Sequence, residues 1–495
     1  MAAPVTAESP APESAAPDEE ISLRTPEIVG RIDVGAARLD MLDLTRYRQT
    51  LDPSSPAISL LGSGYFMDTG YLADGSPLPV AWRLVGSAEL TPETPVVAEG
   101  LAGGQLRIMR TYSVDSGYML TIRDEIRSLD GTAREIAMYG RIARPAPPEE
   151  ALASHQGFVG YLGGKLEEIT YAKAQSGGAR DWQMEGSGWF GFGDRFWLAA
   201  FVVDRPAQVR LVAGESSLTQ ADFRLRAQEL AAGGSSAFSV RIFVGAKQAH
   251  ILDAYRDTLG IPRFDLAIDY GWYYFLTKPF LALLSWLNGA VGNMGAAILI
   301  LALVVRALLL PVSQKSYASM NRMRQIQPEM KRLQELYRSD PARLNQEVMA
   351  LYRREKINPA SGCLPMLLQI PVFFALYKVL VISIEMRQAP FFGWIKDLSA
   401  PDPTSVFTLF GLIPVEPPSF LQIGVWPLLM GITMYAQQSL SPPIADKTQA
   451  RVFKCLPVIF TFMFAHFASG LVIYWAWSNL LGIVQQKYLT AKCKR

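Results

Sequence analysis

One arginine in this sequence sits where an arginine is hard to keep. Arg306 falls within Met294–Val312, a run otherwise free of charge, six residues before its end. At 1.5 Å per residue, that is about 9 Å from the end of a helix crossing a bilayer. A guanidinium at that depth costs roughly 2.5 kcal/mol or more unless it meets water or a partner. Its long side chain can reach the nearby headgroups, or it can line a wet cavity inside a helical bundle. Other apolar runs carry mild polar groups that could share such a cavity: Gln369, Thr433, Gln437, Thr461, Ser478 and Asn479. Taken singly, each also suits an ordinary hydrogen bond between neighbouring helices.

The remaining candidates for chemistry are sparse. No carboxylate lies inside the apolar runs and Glu385 stands at the edge of one, which argues against ion-coupled transport. The three histidines (His155, His250 and His466) are far apart. The three cysteines (Cys363, Cys455 and Cys493) lack CxxC or Cys/His spacing, so neither a metal centre nor a disulfide framework is expected. No nucleotide-binding, serine-hydrolase or zinc-protease motif occurs. These absences argue against an enzyme and leave no cofactor to expect.

The elements that must position Arg306 follow from where the apolar residues fall. The 495 residues are 50% hydrophobic and 19% charged, below the charged share of about a quarter usual in globular chains. The apolar residues concentrate after Gly271. Five spans are expected there: Met294–Val312, Cys363–Ile384, Ser419–Leu440, Val452–Ala468 and Gly470–Gln486. Residues 270–291 are aromatic but interrupted at Lys278-Pro279. They predict an amphipathic helix at the bilayer surface. Residues 292–489 then form a helical membrane domain, followed by a basic tail at 490–495.

Between the first two spans lies a loop, 313–358, with ten lysines and arginines, against Arg387 and Lys396 alone in Glu385–Pro418. The positive-inside rule puts that loop and the C-terminus in the cytoplasm. The loop reads as a helical hairpin, broken at Ser339-Asp340-Pro341, with Asp340 as N-cap and Pro341 at the first helical position. Met320, Met323, Ile326 and Met330 mark one arm, and Leu344, Val348, Leu351 and Tyr352 the other. These stripes can pack the arms together, or offer an adaptable methionine surface to apolar segments. The loop's basic residues suit anionic lipid or ribosomal RNA.

The first half reads differently. Residues 1–20 are rich in Pro, Ala, Ser and Glu, a disordered linker. From 21 to 262 the period is two, as in 106–114, 118–126, 197–203 and 238–245, with Gly-rich turns between. A large antiparallel β-sandwich is expected. Parity over five spans places it in the periplasm. Export of a domain this large requires a signal, so an N-terminal signal anchor missing from this sequence is expected.

Several stretches resemble a known family. Asn358–Phe373 (NPASGCLPMLLQIPVF), Met386–Phe391 (MRQAPF), Trp394–Ser399 (WIKDLS) and Ser469–Trp475 (SGLVIYW) closely resemble signatures of the YidC/Oxa/Albino insertases. The first half resembles that family's periplasmic β-sandwich, itself similar to the galactose mutarotase fold. The resemblance implies a multi-pass bacterial inner-membrane protein that inserts and folds other membrane proteins through a positively charged, hydrophilic groove. Its implied partners are nascent membrane proteins and the Sec translocon, with no small-molecule substrate. Arg306 matches the family's groove arginine, and a substrate's apolar part would slide along the first, second and fifth spans. Ala302 stands where many relatives carry a hydroxyl residue, and Trp475, beside Tyr474, where a tyrosine is common. The resulting groove set is Arg306, Ala302, Gln369, Gln437, Thr461, Tyr474, Trp475 and Ser478. Met320, Met323 and Met330 are the hairpin's candidate substrate contacts. The stretch Phe407–Phe420 is extra relative to shorter relatives.

Two other functions fit parts of the sequence. Polar residues in the spans suit a transporter or channel, which substrate flux through liposomes would reveal. A mutarotase-like sandwich suits an anchored carbohydrate enzyme, which the shortage of histidine opposes.

Overall fold

A computed structural model of the chain describes residues 19–146, 154–214, 218–338, 340–355, 364–411, 418, 422–440 and 447–492. Most of the linker at 1–20, the start of the Asn358–Phe373 signature, most of Phe407–Phe420, Cys363 and the last three residues lie outside them. The chain divides into two compact units, Met1–Asp269 and Tyr270–Arg495.

The first unit is a sandwich of two large sheets, antiparallel but for one short parallel pair at Ser22–Leu23 with Glu89–Leu90. A short helix, α1 (Tyr171–Gly177), interrupts the strands, and a second, α2 (Ala249–Thr258), follows the last of them. The alternation read in 106–114 becomes the strand Leu106–Val114, whose even-numbered residues are all buried. Leu106, Ile108 and Tyr112 supply the apolar surface that this packing removes from water. Arg110 shares their face. It pairs across to Asp124 on Met119–Ser128, and both side chains are fully buried. Asp124 accepts from Arg110 Nε at 2.9 Å and Nη2 at 2.7 Å, and also from the Tyr71 hydroxyl. The Trp82 ring covers the guanidinium, 4.5 Å away.

A second charged feature crosses the larger sheet. Asp33, Arg38, Asp68, Arg141, Asp222, Arg210 and Asp181 are successive cross-strand partners, alternating in sign. Opposite charges on facing positions support the register of each strand pair.

The second unit is helical. It contains α3 (Tyr274–Val291), α4 (Met294–Leu308), α5 (Leu310–Gln325), α6 (Gln327–Leu336), α7 (Pro341–Arg354), α8 (Leu364–Ile382), α9 (Val425–Ser439), α10 (Lys447–Phe464) and α11 (Ser469–Lys492). Three breaks differ from those read in the sequence. The interruption expected at Lys278-Pro279 is absent, because Pro279 sits inside α3. Its ring removes a single bond, to the Phe275 carbonyl, and the helix absorbs it. The span expected over Met294–Val312 does not run straight, since α4 and α5 meet at 64°. Pro311, in the first turn of α5, cannot donate to the Ala307 carbonyl and so starts a new helix. Likewise Pro328 opens α6, which puts Met320 on α5 and Met330 on a separate helix.

Asp340 caps α7 as its sequence suggests, accepting from Arg343 N at 3.0 Å. Among the described residues no single helix is long and apolar enough to cross a membrane, while α4 and α5 together pass that measure as a bent pair.

Candidate functional site

The second unit's polar contacts collect along one stripe of α11. Tyr474, Ser478, Gly482 and Gln486 recur at four-residue intervals, which places them on one side of a helix. Each meets a different part of the bundle. Gln369 of α8 donates Nε2–H to the Tyr474 hydroxyl at 2.7 Å. Arg306 of α4 donates from Nη2 to the Ser478 main-chain carbonyl at 2.6 Å. Its Nη2 and Nε reach the Ser478 hydroxyl at 3.1 and 3.3 Å. Gln486 donates to the Leu440 carbonyl, just past α9, at 2.9 Å.

Gly482 has no side chain to offer, and that is its role in the packing. A Cβ built there would lie 2.9 Å from Gln437 Nε2 and 3.1 Å from both terminal nitrogens of Arg306. The guanidinium and the Gln437 amide therefore press against the bare backbone of α11. Tyr317 of α5, buried, also faces the guanidinium.

The electrostatics of this cluster are one-sided. Arg306 is half-buried, and the groups it bonds are neutral: the Ser478 hydroxyl and carbonyl, with the Tyr317 hydroxyl beside them. Among the described residues no carboxylate pairs with it. Neutral dipoles orient the guanidinium and leave its net charge uncancelled. Away from bulk water, such a charge acts on an incoming anion with a strength that water would screen. Among the described residues no group of histidine, cysteine or carboxylate side chains comes together to hold a metal.

Other residues singled out in the sequence lie elsewhere. Ala302 is buried on α4, one turn before Arg306. Trp475 points into an aromatic group, with ring centroids 4.8 Å from Phe373, 4.8 Å from Phe464 and 5.8 Å from Phe460. Thr461 bonds within its own helix, to the Pro457 carbonyl at 2.8 Å, and packs on Gly431. Thr433 accepts from Asn479 at 3.4 Å, linking α9 to α11. Gly482 and Gln486 escaped the sequence reading, although their spacing from Tyr474 and Ser478 was there to find.

The methionines fall into place by depth. Met330 is buried in a small core with Ile326 and Leu351, and Met323, Leu333, Val348 and Tyr352 pack around it. The Tyr352 hydroxyl donates to Met330 Sδ at 3.4 Å. Arg354 and Glu329 close the outside of the pair at 2.5 Å. Met320 is buried on α5.

Residues 20–283 match the family model described as YidC periplasmic domain, and residues 286–495 match the one described as 60Kd inner membrane protein. The membrane protein insertase YidC of Nitrobacter hamburgensis is 43% identical over 503 residues, covering 95% of this chain and 82% of the relative. That of Brucella suis biovar 1 is 43% identical over 489 residues, covering 95% and 80%. Among solved structures, an active YidC insertase with its first transmembrane domain resolved aligns over 95% of this chain and 92% of its own, at 18% identity and a TM-score of 0.41.

Proposed function

This chain belongs to the YidC family of membrane protein insertases, and we propose that Arg306 is the cation with which it draws polar segments of its clients into the bilayer. The family is non-enzymatic and works at the inner membrane, with a periplasmic domain that here is the antiparallel sandwich. The observation that carries the proposal is a guanidinium docked on the neutral groups of Ser478 with no carboxylate beside it among the described residues.

An acidic or polar tail meeting that charge is held briefly, while the client's apolar segment moves into lipid. The bundle's outward surface suits such a transfer. Leu428, Ile432 and Tyr435 of α9, with Val458, Ile459 and Phe462 of α10, are exposed and apolar, a surface that hydrocarbon covers at no cost. The groove set proposed around Arg306 is Ala302, Gln369, Gln437, Thr461, Tyr474, Trp475 and Ser478. Gln369, Tyr474 and Ser478 have the polar contacts that support it, and Gln437 lies against Gly482 beside the guanidinium.

The proposed topology has five spans, a surface helix at 270–291, a cytoplasmic hairpin at 313–358 and a cytoplasmic C-terminus. The lysines and arginines of the hairpin and tail support that orientation. The proposed domains are the sandwich at 21–262 and the insertase region at 292–489. Of the proposed client contacts Met320, Met323 and Met330, the last requires α6 and α7 to part, since it lies between them. The Sec translocon, the ribosome and anionic lipids are proposed partners, the last two through the basic hairpin.

The test is complementation of an insertase-depleted strain. Wild type and Arg306→Lys are expected to rescue growth, and Arg306→Ala to fail at equal protein level. Full rescue by Arg306→Ala removes the cation from the mechanism.

A further inference from the structure

We infer that Gly482 is a positioning residue for the groove cation: it is the opening in α11 through which Arg306 reaches the Ser478 carbonyl. This rests on the reading of Arg306 given above. In an α-helix each side chain leans toward the N-terminus and covers the turn before it. The carbonyl of Ser478 points toward position 482, four residues on, and a side chain there shields it. Glycine leaves it open. The 2.6 Å bond from Nη2 uses that opening, and both terminal nitrogens lie 3.1 Å from where a Cβ would sit.

Gln437 crowds the same point, with its Nε2 only 2.9 Å away. A methyl group at 482 therefore meets both the guanidinium and the amide. Both groups are the ends of flexible side chains, so both shift, and a guanidinium that shifts loses its 2.6 Å bond to the Ser478 carbonyl. Once displaced from Ser478, the guanidinium turns toward the near membrane surface, because a long cationic side chain seeks water. The residue at 482 thus fixes how deep in the bundle the cation stands. That depth determines how strongly an acidic client tail is drawn in, and leaves the entry of an uncharged tail unaffected.

The experiment uses the full chain reconstituted in vesicles and two single-span clients that differ only in the translocated tail, one carrying aspartates and one uncharged. Protease protection of the tail reads insertion. Gly482→Ala is expected to lower insertion of the acidic-tailed client about threefold relative to the uncharged one. In an Arg306→Lys background the same change is expected to have no selective effect, because a slim ammonium passes a methyl group.

Equal loss for both clients in both backgrounds makes Gly482 a packing residue and overturns the inference. An unchanged ratio overturns it too. If Arg306→Ala keeps the wild-type preference for the acidic tail, the groove-cation reading itself fails. If Arg306→Ala loses that preference while Gly482→Ala keeps it, only the role of Gly482 falls.

Discussion

Arg306 Nη2 stands 2.6 Å from the main-chain carbonyl oxygen of Ser478, closer than either nitrogen that reaches the same residue's hydroxyl, at 3.1 and 3.3 Å. The dominant acceptor is therefore one that no substitution at 478 removes. Ser478→Ala deletes two long bonds and keeps the short one. Insertion is expected to stay within about twofold of wild type. Arg306→Ala, by contrast, removes the charge and is expected to lower insertion about tenfold or more. Protease protection of a pulse-labelled client in cells measures both, and a tenfold loss in Ser478→Ala would relocate the dock to the hydroxyl.

Met330 and Met349 separate packing from surface on the two helices α6 and α7. Met330 is 5% exposed between them, and Met349 is 47% exposed on α7. Met330→Ser removes buried apolar volume and leaves Tyr352 without its sulfur partner, a loss of about 2 kcal/mol or more from a small core. Amide exchange along Pro341–Arg354 is expected to accelerate in Met330→Ser and to stay unchanged in Met349→Ser. Acceleration in both would mean that α7 is not held by this core.

Much of this structure was legible in the sequence, for reasons particular elements make plain. The run LRIMRTYSV alternates, so its strand could be read, and Asp340-Pro341 announced the start of α7. Arg306, Gln437 and Ser478 stood out as polar residues in apolar runs. Gly482 did not, because a glycine in a membrane helix carries no polar or apolar signal, and its role lies in what its missing side chain admits. Arg110 was equally hidden, because alternation marks it as inward but names no partner. Only the cross-strand register brings Asp124 opposite. The turns at Pro311 and Pro328 were missed for a third reason: the apolar run continues past Pro311 and the helical methionine spacing past Pro328, while the hydrogen-bond ladder does not.

Asp222 gives the charge row of the larger sheet a pH signature. Burial pushes its carboxyl above the ordinary aspartate value, against the hydrogen bond from Gln220 and the nearby Arg210 and Arg141. A raised value in the folded state means that the folded chain holds this proton more tightly than the unfolded chain does. The site's contribution to stability is thus greatest below the unfolded value and declines as pH rises through the folded one. Asp222→Asn removes that decline. The melting temperature of the variant, relative to wild type, is expected to increase from acid to neutral pH. A difference independent of pH would show that Asp222 does not titrate in this range.

The Arg110–Asp124 pair makes the sharper prediction for the sandwich, because its two members are fully buried and cannot turn to water. Burial and the neighbouring Asp124 carboxylate push the Tyr71 phenol well above its ordinary value, so Tyr71 remains the proton donor of the trio. Arg110→Met leaves the carboxylate in an apolar core with the Tyr71 hydroxyl as its remaining side-chain partner. The expected cost is about 3–5 kcal/mol, the range for breaking a buried pair from one side. Adding Asp124→Leu removes the orphaned charge, so the double variant is expected to recover most of that loss. Adding Tyr71→Phe then removes the hydroxyl left without its acceptor, and stability should rise again. Chemical denaturation of the three variants, followed through the sandwich, measures the sequence. A double variant no more stable than Arg110→Met alone would mean that the orphaned carboxylate is not what destabilises the core.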